Sequence, residues 1–542
     1  MPMISLFDTI YGIVPPLLIS LAFVTPLLGL FIKNKKFFTI YIIVITMITL
    51  VMTCLIAYNI FSGNIVAIYP FGGWPPPIGI TYTIDKLNAS LALLATLIIF
   101  LSAISTKGYL NRYKKPSTLS YIYTALIGFT AGAIGALYTG DIFNLFVMME
   151  VMCISLYVLV AFHRTRAEAI EAAIKYSLIS IVALIIYFFS TILIYSGYQT
   201  LNMADLAVKA RPTILDILRM YSIDMLSGGY YSDIYIITPI AIALIIWVFT
   251  LESALFPNHF WLPDAISEAP TPVSAILPIA EMVSIYVVIR YLFTIFGPDS
   301  ILAENNVRTT VLYILLILGI IASIVGSIMM TLQKDSKRLL GYSSVSHIGF
   351  IYIAIGLTAF TLEPTIPLVA SIFHMINYVV SSSLLFLAIG AIESVIGSRN
   401  IDDMTGLGRS AKLAGFSIVI GVLNLIGLPP LGGFFSKFMM YQAALTVSQP
   451  IIALLIVVAT AISVMGYAKL LLIPFGINSE KNIKESYSFS VPSFILALMV
   501  ILLGLMLPIG LNKYLEDIAK SAYEYVYYVE SFLKYMVTLW PR

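Results

Sequence analysis

The chain has 542 residues, 60% of them hydrophobic and only 11% charged, with a mean hydropathy of +0.99 and a formal net charge of +3. A water-soluble domain is about 25% charged, so the composition excludes one and leaves a bundle of membrane helices. The small charge argues against nucleic acid as a partner, and the two cysteines, Cys54 and Cys153, lie in apolar runs, which excludes a disulfide framework, a Cys-based zinc site and iron–sulfur ligation by this chain.

A bilayer core takes roughly 20 apolar residues per helix. In chain order the predicted spans are 11–33, 37–61, 85–106, 118–138, 142–162, 169–197, 234–260, 272–296, 308–333, 338–358, 364–396, 413–442, 450–474 and 489–510. The fold class is therefore an all-α polytopic membrane protein with about fourteen transmembrane helices. The first run has no cleavable signal pattern and is expected to stay in the membrane. With no P-loop or dinucleotide fingerprint, no cofactor is expected on this chain, and any energy it uses must come from elsewhere. The longest loop, 198–233, is polar enough for a short surface helix. From Leu511 onward, Leu515, Ile518, Ala522, Val526, Val529 and Leu533 recur at helical spacing between charges. The tail 511–542 is thus expected to be an amphipathic helix on the membrane surface or against a partner.

Two spans are interrupted. Pro257 and Pro263 fall in the seventh, and Pro429 and Pro430, flanked by Gly427 and Gly432, in the twelfth. A mid-span proline removes a helix hydrogen bond and clashes with the preceding turn, and in lipid the freed backbone groups must find protein or water. Breaks five spans apart are what a five-helix repeat would give, and such pairs point to an ion or substrate site. The competing reading is a kinked packing helix.

Basic residues favour the loops after odd-numbered spans, roughly two to one. Lys33, Lys35 and Lys36 follow the first, and Lys107, Arg112, Lys114 and Lys115 the third. Arg164 and Arg166 follow the fifth, Lys334, Lys337 and Arg338 the ninth, Arg399, Arg409 and Lys412 the eleventh, and Lys481 and Lys484 the thirteenth. The positive-inside rule then makes these loops cytoplasmic and places both termini outside.

Ionisable groups within spans are costly and usually face a bundle interior or a hydrated path. Glu150 sits mid-span in FNLFVMMEVMCISLYVLVA with no basic residue within a turn, which suits a group that takes up and releases protons; a protonated carboxyl bonded to a neighbouring helix is the alternative. Glu252 lies just before the seventh-span break, and Glu281 is mid-span in the eighth. His347 and His374, in the tenth and eleventh, have side chains that titrate near neutrality and can relay protons or simply hydrogen-bond. Lys437 follows the second break, where it faces the interior or snorkels to the surface. Charges spread over six spans fit a row along the membrane interior better than one small-molecule pocket.

The segments FVMMEVMCISLYVLVAF, ALFPNHFWLPDAISEAPTPVSAIL, DSKRLLGYSSVSHIGF and GLPPLGGFFSKF resemble the antiporter-like membrane subunits of respiratory complex I, of energy-converting membrane-bound hydrogenases and their sulfane-reductase-like relatives, and of Mrp Na⁺/H⁺ antiporters. The resemblance covers 118–445. It implies two inverted five-helix repeats, 118–296 and 308–442, each with one broken helix, preceded by a three-helix segment 1–117 and followed by helices 443–510. It maps the family's fifth-helix glutamate to Glu150, its twelfth-helix charge to Lys437, and its tenth- and eleventh-helix histidines to His347 and His374. The family's seventh-helix lysine is replaced here by Glu252, and its eighth-helix lysine has Glu281 as the nearest charged position. Tyr378 and Ser382 stand where the family often has a second histidine and a lysine.

The resemblance implies an ion-translocating subunit, for H⁺ with Na⁺ as a second candidate, in the cell membrane. Other membrane subunits, including antiporter-like neighbours, and peripheral redox subunits carrying iron–sulfur clusters are the implied partners. The rivals are an Mrp-type Na⁺/H⁺ antiporter subunit and a non-conducting spacer whose lysines have been lost.

Overall fold

The computed structural model describes residues 9–110, 116–211, 233–477 and 483–539. Arg112, Lys114, Lys115 and Lys481, and most of the 198–233 loop, lie outside the described residues. The membrane helices are α1 (Thr9–Phe31), α2 (Lys35–Gly63), α3 (Lys86–Leu110), α4 (Pro116–Tyr138), α5 (Ile142–Val160), α6 (Ala167–Tyr198), α7 (Ile234–Glu252) and α8 (Leu277–Ile289). There follow α9 (Val307–Leu332), α10 (Ser336–Leu357), α11 (Thr365–Ile396), α12 (Lys412–Ile426), α13 (Gly432–Thr446), α14 (Pro450–Phe475) and α15 (Tyr487–Met506). Two tail helices, α16 (Asn512–Tyr523) and α17 (Tyr525–Leu539), complete the chain. Thirteen helices among the described residues are long and apolar enough to cross a bilayer, or fourteen with one bent pair at 401–426.

Burial sorts the helices by position. The span Thr271–Ile295, which contains α8, is entirely enclosed, and α10 nearly so, whereas α1 and α14 bury only a third or less of their apolar window. The polar residues in the middle of α8, α10 and α11, such as Glu281, His347 and His374, therefore face protein, as polar groups inside lipid must. Helices α9 and α10 approach closely through small residues: a Cβ on Gly319 would stand 2.8 Å from the Gly349 carbonyl oxygen. This backbone-to-backbone approach is the usual way membrane helices associate.

One local motif occurs twice. Asp141 caps α5 by accepting from the amides of Phe143 and Asn144, and pairs in a β-bridge with Asn202, which caps the short helix Met203–Lys209. Asp335 caps α10 by accepting from Lys337 and Arg338, and bridges Asn400, which caps the short helix Ile401–Met404. Each pairing joins the start of one span to the end of the next, and the two copies lie five spans apart.

The structure refines several expectations. The fold is the expected helical membrane bundle, to which Ala67–Pro70 and Thr81–Ile84 add one short antiparallel hairpin, with Ala67 opposite Ile84. Within the loop 198–233, the described helix Met203–Lys209 is buried, with Lys209 and Asp205 paired at 3.2 Å, while the rest of the loop expected to hold a surface helix, 212–232, lies outside the described residues. The tail folds back on its own chain: Leu515, Ile518, Ala519 and Ala522 are buried, and the Ala522 carbonyl accepts from Thr294 Oγ1 at 2.5 Å. The twelfth span is broken where expected, into two half-helices, α12 and α13, of 15 residues each. At about 1.5 Å per residue, neither can cross a bilayer alone.

Pro257 and Pro263 do different things. α7 ends at Glu252, and the chain turns through Ala254 (φ +56°) and Pro257, so this proline does lie in a break. Pro263 sits in the first turn of the helix Leu262–Glu268. Its missing amide costs nothing there, so it starts a helix and does not interrupt one.

Candidate functional site

Two buried clusters emerge. The first gathers on α5, α6 and α7. Glu150 is half-buried on α5 and has no hydrogen-bond or ion-pair partner among the described residues. One turn along the same helix, Cys153 donates its thiol proton to Glu252 Oε2 at 3.7 Å, while Ser180 of α6 donates to Glu252 Oε1 at 2.5 Å. Glu252, the last residue of α7, is only 3% exposed. The helix end thus carries the carboxylate to the helix that bears Glu150, and among the described residues no cation pairs with either acid. The break itself is satisfied by protein: Trp261 Nε1 donates to the Leu251 carbonyl at 3.1 Å, and Ser253 Oγ shares a hydrogen bond with Tyr352 of α10 at 2.9 Å.

The second cluster spans α8, α10, α11, α13 and α14. Glu281 is fully buried and accepts through Oε2 from the Tyr378 hydroxyl; its Oε1 has no partner among the described residues. The Tyr378 ring stacks on His347, centroids 5.5 Å apart and planes 15° apart. His347 Nδ1 and His374 Nε2 share a hydrogen bond of 3.0 Å. His374 Nδ1 meets Ser436 Oγ at 2.9 Å, and His347 Nε2 meets the Tyr467 hydroxyl at 2.8 Å.

Lys437, next to Ser436, is 3% exposed and so does not snorkel. Its Nζ donates to the carbonyls of Leu425 (2.8 Å) and Ile426 (3.2 Å). These are the last carbonyls of α12, which a helix end leaves without amide partners. The break therefore supplies the negative ends of peptide dipoles that hold the ammonium. Pro429 and Pro430 form the turn between the half-helices. Asn424 pins that turn by accepting from the Gly433 amide at 2.7 Å and donating to Asn377 (3.0 Å) and Ser381 (2.6 Å). Gly427 closes α12 at φ +94°, a conformation only glycine adopts cheaply.

Five of the six ionisable positions singled out in the sequence, Glu252, Glu281, His347, His374 and Lys437, are thus buried in the bundle interior, and Glu150 is half-buried. Glu281, His347, His374 and Lys437 are brought together, whereas Glu150 and Glu252 form a separate group. Between the clusters the described residues offer the Ser253–Tyr352 bond but no continuous chain of hydrogen-bonding groups. Tyr467, Ser436, Asn424, Ser180 and the role of Cys153 were not anticipated. A buried asparagine in the apolar run before Gly427 was the one visible signal among them.

A charged rim lies at one face. Arg399 reaches Glu268 (2.9 Å) and Asp335 (3.1 Å), Arg166 reaches Glu268 (3.1 Å), and Lys175 and Arg338 converge on Asp264 (3.1 and 3.0 Å). The loops after the fifth, seventh, ninth and eleventh spans therefore meet on one side.

This architecture defines a polytopic membrane protein with a polar interior. The chain matches the transmembrane family model described as NADH:quinone oxidoreductase/Mrp antiporter over residues 139–463. It is 30% identical over 410 residues to the N-type subunit of NADH-quinone oxidoreductase of Desulforudis audaxviator, covering 74% of each chain. It is 27% identical over 495 residues to the D-type Na⁺/H⁺ antiporter subunit of Alkalihalophilus pseudofirmus, covering 90% of this chain and 92% of that one. A chain in the structure of the membrane-bound sulfane sulfur reductase, an archaeal respiratory membrane complex, superposes with a TM-score of 0.84 at 25% identity, covering 97% of this chain and all of the other. The chain belongs to the NADH:quinone oxidoreductase/Mrp antiporter transmembrane family.

Proposed function

We propose that this chain is a proton-translocating, antiporter-like subunit of a redox-driven respiratory membrane complex, with Na⁺ as a second candidate ion. The observation that carries this reading is the run of buried protonatable groups across four helices, α8, α10, α11 and α13. It passes from Glu281 and Tyr378 to His347, His374 and Ser436, and ends beside Lys437 at a broken helix. A solute pocket would not need such a row, whereas a proton path does. Glu150 would be the carrier of the first half, with Glu252 sharing its proton or a cation in place of an ion pair. The resemblance over nearly the whole length to a chain of an archaeal respiratory complex supports a redox-driven setting.

The peripheral redox subunits would carry the iron–sulfur clusters, and antiporter-like neighbours would flank this chain in the cell membrane. The twofold occurrence of the Asp–Asn bridge, with a break in the span two further on in each case, supports two inverted five-helix repeats. An odd number of crossings between the copies would put them on opposite faces. The meeting of the odd-numbered loops, with their excess of basic residues, supports a cytoplasmic rim and external termini.

The second reading, an Mrp-type Na⁺/H⁺ antiporter subunit, is favoured by the similarity to the Alkalihalophilus antiporter chain over 90% of this one. Purifying the tagged chain from its host in mild detergent, then identifying what accompanies it and measuring iron and nickel, separates the two. Iron–sulfur subunits would support the redox-driven complex, and nickel would place it near hydrogenases. Small membrane subunits without iron would support the antiporter, and a chain that purifies alone would contradict both.

A further inference from the structure

The polar chain does not stop at His347. Tyr467 lies on α14, outside both expected repeats, and is fully buried. Its hydroxyl meets His347 Nε2 at 2.8 Å and also shares a short hydrogen bond with Ser343 Oγ. Ser343 is one turn nearer than His347 to the start of α10 at Ser336. The same end of α14 is anchored there, because Lys469 Nζ donates to the carbonyls of Thr331 and Gln333 at the close of α9. Tyr467 and Ser343 therefore extend the histidine pair toward the 333–336 face, the side where the charged rim lies. At about 1.5 Å per residue, His347 is roughly 16 Å along α10 from Ser336 and Ser343 roughly 10 Å.

The hydrogen bonds close into one directed chain. With the Tyr467 hydroxyl donating to His347 Nε2, the His347 Nδ1–H donates to His374 Nε2 and the His374 Nδ1–H to Ser436 Oγ. Ser436 then donates to the Gly433 carbonyl at 3.0 Å, and Ser343 donates to Tyr467. Both imidazoles are neutral, and every donor is used once. A proton arriving at Ser343 displaces that residue's own proton to Tyr467, and Tyr467 passes its proton to His347 Nε2. His347 releases the Nδ1 proton to His374 Nε2, His374 passes its Nδ1 proton to Ser436 Oγ, and Ser436 gives up its own hydroxyl proton, the one that leaves the chain, beside Lys437. No bond other than O–H and N–H bonds changes, one proton enters and one leaves, and both imidazoles end in the opposite tautomer.

We propose that Tyr467, with Ser343, is a proton-relay residue that connects the His347–His374 pair to the 333–336 face of the bundle, so that this half-channel exchanges protons through α14 as well as along the Glu281–Lys437 row. The proposal rests on the proton-translocating reading above. It is tested with the complex purified through this chain and reconstituted into liposomes containing a pH-sensitive dye, with a valinomycin–K⁺ potential driving protons inward. Tyr467→Phe keeps the ring and removes only the relaying hydroxyl. It is expected to slow proton flux at least tenfold and to enlarge the H₂O/D₂O flux ratio while the complex stays assembled. A packing role predicts no change in that ratio. If Tyr467→Phe disturbs assembly, Ser343→Ala, which breaks the chain one link further out, must show the same loss. Unchanged flux in Tyr467→Phe together with lost flux in His374→Gln overturns the relay and leaves the translocation reading standing. Unchanged flux in both variants overturns both.

Discussion

At the residue scale, the chemistry of the second cluster depends on hydroxyls as much as on charges. Tyr378 is the only described hydrogen-bond donor to Glu281 and also lies flat against His347. Tyr378→Phe preserves that stack but leaves a buried carboxyl without a donor. It is expected to lower proton flux in the reconstituted complex by about an order of magnitude, consistent with a lost hydrogen bond to a buried group of about 1–3 kcal/mol, with assembly retained. The charged members of the cluster were legible because an ionisable side chain in an apolar span is conspicuous. The hydroxyls were not: with 34 tyrosines in the chain, a tyrosine within a span carries no signal. Tyr378 stood out only through the resemblance, and Tyr467 through nothing but the geometry.

At the element scale, the broken helices carry the design. The two halves of the twelfth span meet so closely that a Cβ on Gly433 would overlap the Asn424 carbonyl oxygen. Gly433→Ala should force α12 and α13 apart, release Lys437 from the Leu425 and Ile426 carbonyls, and lower the thermal midpoint in detergent by several degrees along with the flux. The two capping aspartates also differ. Asp335 has Arg399 beside it, whereas burial pushes the Asp141 carboxyl up to about 6, against the opposing effect of its two amide donors. A carboxyl raised on folding adds most to stability below its unfolded value near 4 and loses that contribution as pH rises toward 6. Asp141→Asn keeps the cap and should flatten the dependence of the melting temperature on pH between 4 and 6. The proline pairs made both breaks visible in sequence. Pro263 was misread because a proline that opens a helix and one that breaks it look alike without the intervening turn at 253–257.

At the scale of the whole molecule, the tail closes one end of the bundle. Arg290 is buried against Asp85 at 2.7 Å, with the Tyr528 ring of α17 5.0 Å from its guanidinium. Removing one partner of such a pair strands a buried charge, at a cost of about 3–5 kcal/mol. Arg290→Met should therefore lower the melting temperature sharply, and adding Asp85→Asn should recover much of the loss. Apolar periodicity showed that the tail has a face to bury but not that the chain itself covers it. That information lies in long-range contacts, as does the gathering of four loops at the charged rim. Span count, helix breaks and interior charges were all legible, because lipid punishes each departure from apolar helix.

Conduction by this chain is tested most directly by potential-driven proton flux through the reconstituted complex carrying Glu150→Gln or Lys437→Met, one change in each half. At least a tenfold loss is expected in both with the complex intact, whereas flux equal to the unmodified complex in both would make this chain a non-conducting spacer.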